Sequence, residues 1–286
     1  MKKIILIFIF TFYSYALEIK IGTGTFDWNV EIPRIYKTFK TLDIYTLDIN
    51  EQHYNLSNSR FYLFGNINFY QSDTQIQKEK PSINQTLYDL LGIKIGLLDT
   101  LNEIFDNSLP ISSKYQVNGV DGDIGVGYDV FVHDKGYVGV GLTYGMAFPF
   151  LKDKSTIQIF SKGTNTDVST YKFGMSLQAQ YNFTQNFSLY TTAISSYQIG
   201  NSTNPVVGST LDMKGLYYLL NIGLEISPNE SSTFSNFYTH IGYSIKRWDV
   251  TKIEFSIAGI KAQEIASVLK TNLSSDYFYL GLGYHF

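Results

Sequence analysis

An imidazole beside a hydroxyl is the simplest base and nucleophile pair, so the histidines come first. The chain of 286 residues has four, His53, His133, His240 and His285, and no cysteine. His240 and Ser244 lie four apart in an alternating segment. On one strand that spacing separates them by about 13 Å, whereas proton transfer between base and nucleophile needs roughly 3 Å. They do not make a dyad. The absence of cysteine excludes thiol catalysis, disulfides, cysteine metal sites and lipid attachment through a thiol, and four dispersed histidines do not suggest a metal site. Four Gly-x-Gly pairs, at Gly22/Gly24, Gly125/Gly127, Gly139/Gly141 and Gly281/Gly283, lack the third glycine opening a helix that a dinucleotide fingerprint requires. Neither a catalytic residue nor a cofactor is therefore expected. What remains is a set of ionisable residues at alternate positions: Glu18, Lys20, Asp123, Asp129, Lys172, Glu225, His240, Lys246 and His285. Carried on one face of a sheet, they would pair with one another.

The elements that would position them are strands. Tyr171, Phe173, Met175, Leu177, Ala179, Tyr181 and Phe183 alternate with Lys172, Gly174, Ser176, Gln178, Gln180 and Asn182, and period two sends these sets to opposite faces. After Thr184-Gln185-Asn186 the pattern resumes from Phe187 to Ile199, completing a hairpin. Similar reasoning gives strands over 123–132 and 137–148, joined at His133 to Gly136, and over 216–226 and 237–245. Further strands fall at 17–26, 42–50 and 61–70. The segment 42–50 alternates least clearly. The last ten residues place Phe278, Leu280, Leu282, Tyr284 and Phe286 on one face.

That terminal segment resembles the last strand of bacterial outer-membrane β-barrels, which typically ends on Phe with apolar or aromatic residues at alternate positions before it. Other features agree. Lys2 and Lys3, the apolar run Ile4 to Phe12 and Ser14-Tyr15-Ala16 read as a signal peptide spanning 1–16. Its removal takes the net charge from -3 to -5, which offers no basic footprint for nucleic acid. Charged residues are 16% of the chain, below the roughly 25% of soluble proteins. Aromatics reach 16%, with 23 Tyr and 21 Phe, as membrane barrels with aromatic girdles require.

The resemblance implies an all-β, transmembrane antiparallel barrel over 17–286, of about ten strands with eight as the alternative. Such barrels carry both termini and short turns in the periplasm. Counting back from Phe286 places four short connections there and every long one outside, with the longest loops near 71–118 and 246–276. Two loop segments carry helical spacing: Leu87, Leu91, Leu98, Leu101 and Phe105 after a capping box at Ser82 and Gln85, and a stretch from about Ala258 to Lys270. They would pack as a lid, or dip inward as a plug or ligand face.

The lumen-facing residues Asp123, Asp129, Lys172, Glu225, His240 and Lys246 would knit the interior, with glycine relieving crowding among the inward side chains. Some barrels of this kind are proteases, phospholipases or lipid A deacylases, but none of their motifs is recognisable here, and a non-enzymatic chain is expected. The leading function is a monomeric, porin-like barrel whose surface-exposed loops serve adhesion, partner binding or envelope integrity. The alternative is a narrow channel or transporter for small or hydrophobic molecules, gated by the apolar loop helices. Expected partners are outer-membrane lipids, the barrel-assembly machinery and an extracellular ligand.

Overall fold

The computed structural model describes residues 16–32, 36–56, 59–79, 111–154, 166–204, 209–228, 234–257, 260–262 and 270–285. Residues 1–15 of the signal-peptide segment, the helical face Leu87 to Phe105 and Phe286 lie outside these residues. The described chain forms twelve strands: β1 (Ala16–Ile32), β2 (Tyr36–Asn55), β3 (Phe61–Ser72), β4 (Gln75–Glu79), β5 (Ile111–His133), β6 (Gly136–Asp153), β7 (Thr166–Thr184), β8 (Phe187–Asn204), β9 (Ser209–Ile226), β10 (Phe237–Ile257), β11 (Ile260–Ala262) and β12 (Lys270–His285). Ten of them close into a ring, in the order β1-β2-β3-β5-β6-β7-β8-β9-β10-β12, and every pairing is antiparallel. First and last strands seal it, from Ala16 opposite His285 to Glu31 opposite Lys270. The two short strands are extensions, β4 beside β5 and β11 beside β10.

All ten strands read from the sequence are present, the weakly alternating 42–50 among them. Four short connections lie at one end, here called the turn end, together with both termini of the sheet. The tightest is His133 to Gly136, where Gly136 has φ +145° and a Cβ would meet the carbonyl oxygen of Gln180 at 1.9 Å. At the opposite, loop end the strands run further than the alternation indicated. Strand occupies 111–118, 246–257 and 270–276 inside the segments read as the longest loops. Of the helix read from about Ala258 to Lys270, Ile260–Ala262 is instead strand, paired antiparallel with Phe255 to Ile257, and Lys270 opens β12, while residues 258–259 and 263–269 lie outside the described residues. The β-branched Ile257 and Ile260 favour strand over helix at these positions.

The reason the strands outrun their pattern is an exchange of polarity at constant parity. Nearer the turn end the outward residues are apolar and exposed, as in Phe173 and Met175 at 63% and 66%, and the inward ones are polar. Nearer the loop end the outward positions become Asp43, Lys114, Asn118, Lys152, Asp167 and Lys214, all exposed. Inward positions there become Phe26, Trp28, Leu42, Ile44, Tyr115, Val117, Leu151, Met213, Trp248 and Leu273, packed in one apolar cluster. The lower barrel thus has the sidedness of a membrane wall, with apolar residues facing out. The upper barrel has that of a water-soluble sandwich, with an apolar interior. On β6 and β9 the outward apolar runs, Val138 to Phe148 and Leu216 to Ile226, have the length of about 9 to 11 residues that a tilted strand needs to cross a bilayer.

Inward glycines have a common use in the lower and middle barrel. Tyr62, Phe64 and Tyr70 stand directly opposite Gly127, Gly125 and Gly119 across β3 and β5. Tyr190 faces Gly223, Tyr238 faces Gly283, and Tyr279 has glycine on both sides, Gly22 and Gly242. Except at Gly22, where the Tyr279 ring turns toward Gly242 instead, each ring lies over its partner: a Cβ on Gly127 would come within 2.2 Å of the Tyr62 ring. Glycine opposite an aromatic lets a small barrel hold large side chains without forcing its wall apart. Gly127→Val is accordingly expected to lose about 1 to 3 kcal/mol through overpacking, read from the urea midpoint of vesicle-inserted protein. Adding Tyr62→Leu should recover part of that loss, so the double variant falls short of the summed singles.

Candidate functional site: the lumen

The ionisable residues on the inward face collect into tiers. At the turn end, His240 of β10 lies between Glu18 of β1 and Glu225 of β9, bonded to Glu18 through Nδ1 and to Glu225 through Nε2 at 2.8 Å. Glu18 also holds Lys20 at 3.1 Å, and Lys20 donates to the Tyr190 hydroxyl at 3.2 Å. Tyr190 in turn meets Tyr279, which donates to Asn221. A second group forms beside it. His53 contacts Gln178 Oε1 and Asp129 Oδ2, each at 3.1 Å, and its ring is stacked between those of Tyr62 and Tyr137 at 4.0 and 3.9 Å.

The middle tier is a four-charge cluster. Lys172 bonds Asp121 at 2.5 Å and Asp123 at 2.9 Å, and Lys246 bonds the other oxygen of Asp121 at 2.9 Å. Tyr217 donates to Asp121 at 3.0 Å, and its ring lies 3.8 Å beneath the Lys172 ammonium. Asn68 accepts from Lys246 at 3.0 Å and donates to Asp48, which also accepts from Tyr277 at 3.1 Å. Every member is buried. Such a cluster is tolerable in a low-dielectric interior only because each charge has a partner of opposite sign or a hydrogen bond.

Above this tier the interior turns apolar. Phe26 stacks on Tyr70 at 5.3 Å and packs against Trp248 at 5.9 Å, while Trp248 meets Tyr217 at 5.5 Å. Lys40 sits over the Tyr115 ring at 3.6 Å. Between the lower tiers is a polar cavity of about 40 Å³, bordered by Lys20, Asp48, Asn221, Ser244, Lys246 and Tyr277. It suits a water or two and is too small for a solute.

Connections reach across the barrel. β5 and β10 are five strands apart by either route round the ring, so Asp121 and Lys246 join opposite walls. His53 to Gln178, Lys20 to Tyr190 and Asn68 to Lys246 each span four strands. Of the lumen residues read from the sequence, Asp123, Lys172 and Lys246 share one cluster, Glu225 and His240 share another, and Asp129 lies apart with His53. Asp121 and Asp48 are not among those residues, although each sits buried at an inward position of its strand. His53 falls beyond the strand 42–50 that alternation predicts, but β2 runs on to Asn55, past a register shift between Glu51 and Tyr54. Ser244 borders the cavity, and His240 faces carboxylates.

No protein-family model and no curated protein matches the chain. Solved structures do. The outer-membrane protease OmpT from Escherichia coli aligns over 96% of this chain and 98% of its own, at 11% identity and a TM-score of 0.54. Ail, the attachment invasion locus protein of Yersinia pestis, aligns over 96% and 99% at 12% identity with a TM-score of 0.30. The Pseudomonas putida toluene transporter TodX aligns over 96% and 90% at 9% identity with a TM-score of 0.32. The first likeness establishes a shared fold, that of the bacterial outer-membrane β-barrel, and the looser two carry no argument.

Proposed function

We propose that this chain is a non-enzymatic barrel of the bacterial outer membrane, with its turn end in the periplasm and its long connections outside. It serves as a sealed support for surface-exposed loops that act in adhesion, partner binding or envelope integrity. The observation that carries this reading is the bond from Lys246 to Asp121, 2.9 Å long between opposite walls. The side chains around that bond, among them Asn68, Asp123, Lys172, Tyr217 and Tyr277, are buried as well, so they fill the cross-section that a pore would need. The apolar cluster above it adds a second barrier, since ions do not cross a dry aromatic layer. Orientation is supported by the short turns and both sheet termini falling at one end, the arrangement such barrels have in the periplasm. A ring closed on itself leaves no free edge to recruit a neighbour, which favours a monomer.

A peptidase or lipase reading would need a base close to a reachable nucleophile. His53 and His240 are instead held by acidic and amide groups at the turn end, far from the face that would meet an external substrate. Planar-bilayer recording of the purified full chain tests the sealed reading, with no steady single-channel current expected. A steady current that changes when residues 87–105 are deleted would overturn it in favour of transport gated by that segment.

A further inference from the structure

At the turn end, four strands leave a groove in the outward, apolar wall. Its volume is about 460 Å³, within the range of small-molecule sites. The floor is made of small residues: Ala179 and Thr191, register partners on β7 and β8, with Gly136 on β6 beside Tyr181. Tyr181 forms one wall. The other is Phe131, and its position is unusual. A regular strand would have turned Phe131 into the lumen, but the register shift between Asp129 and Phe131 leaves Val130, Phe131 and Val132 all exposed, at 52%, 56% and 54%. A bulge at a barrel rim that re-aims one side chain is a built feature. Its result is a stack of Phe131 on His133, with rings 6.3 Å apart and nearly parallel.

Beyond that stack, the turn adds Lys135 to the lining, exposed like His133. The groove is therefore apolar along its length, open toward hydrocarbon, and ended at headgroup depth by a cation and an imidazole. That order of chemistry matches one amphiphile. We propose that the groove holds a single phospholipid of the leaflet at the turn end, with an acyl chain over Ala179 and Thr191 and its phosphate at Lys135 and His133. The charge complementarity selects a phosphate-bearing lipid over a second copy of the chain, whose matching groove would bring Lys135 against Lys135.

Native mass spectrometry of the full chain, released from micelles containing phosphatidylglycerol or phosphatidylethanolamine, provides the test. Wild type should retain one phospholipid after excess lipid is stripped. Ala179→Phe, which fills the groove with a residue suited to the lipid face, should lose the retained lipid, and Lys135→Glu should weaken retention of both lipids. Thr191→Phe gives a second filled groove should the first variant fail to fold, with folding of each checked by its heat-dependent gel mobility. Undiminished retention in a folded, filled variant would overturn the proposal. So would a dimer that filling abolishes, which would assign the groove to self-association. The result is separable from the conductance test, because a barrel that conducts can still retain this lipid and a silent one can lack it.

Discussion

Lys172→Met is expected to cost about 3 to 5 kcal/mol of folding stability, the penalty for leaving a buried charge without its partner. Lys172 is the ion that separates two carboxylates, 2.5 Å from Asp121 and 2.9 Å from Asp123. Without it, Lys246 alone must balance both, and it reaches only Asp121. The loss should appear as a large drop in the urea midpoint for unfolding from lipid vesicles, with little change in the slope. A paired replacement separates charge from packing. Lys172→Met with Asp123→Asn leaves Asp121 facing Lys246 one to one, and should recover much of the loss. If the double variant is as unstable as the single, the stability resides in the aliphatic stem of Lys172 and in its contact with the Tyr217 ring, 3.8 Å from the ammonium. The charge cluster would then not be what clamps the walls together.

Leu177→Arg should cost roughly 2 to 4 kcal/mol, the depth-dependent penalty for a cation at mid-bilayer on the lipid face of a barrel. Leu177 is outward and exposed on β7, within the apolar band. The inward neighbour Gln178 is no neutral comparison, because it is buried and accepts a contact from His53, so it is itself part of the packing. Ser169 is the better control. It lies on the same face of the same strand, eight residues toward the loop end, about 26 Å along the chain, beyond the point where the outward face becomes polar. Ser169→Arg should change stability by about 0 to 1 kcal/mol, the value near or beyond the interface. Equal costs at both sites would place the membrane surface elsewhere and remove the distinction between lower and upper barrel.

That distinction also explains where reading by alternation stopped. The strand read from Leu17 ended at Phe26 and the one read back from Phe286 began near Tyr277, just where the apolar set crosses from the outward to the inward face. β1 continues to Ile32 and β12 starts at Lys270, with parity unbroken. β2 alternated poorly for a related reason. Its Leu42 and Ile44 are buried inside, whereas Tyr45 and Leu47 are exposed outside, so adjacent apolar residues on opposite faces erased the pattern. A rule that expects one greasy face along a whole strand ends the strand where the solvent changes.

The sequence by itself determined the strands of the membrane band, their inward and outward faces and the end at which the turns lie, and it left ten strands or eight for ring closure to decide. These are properties of period two, which depends only on neighbours along the chain and on hydrocarbon penalising a polar outward side chain. Only the tertiary structure decided which inward groups meet. Asp121 and Lys246 are 125 residues apart, and nothing in either strand's own pattern pairs them. Ring closure and the register of ten strands put them at one height on opposite walls, in a lumen narrow enough for side chains to touch across it.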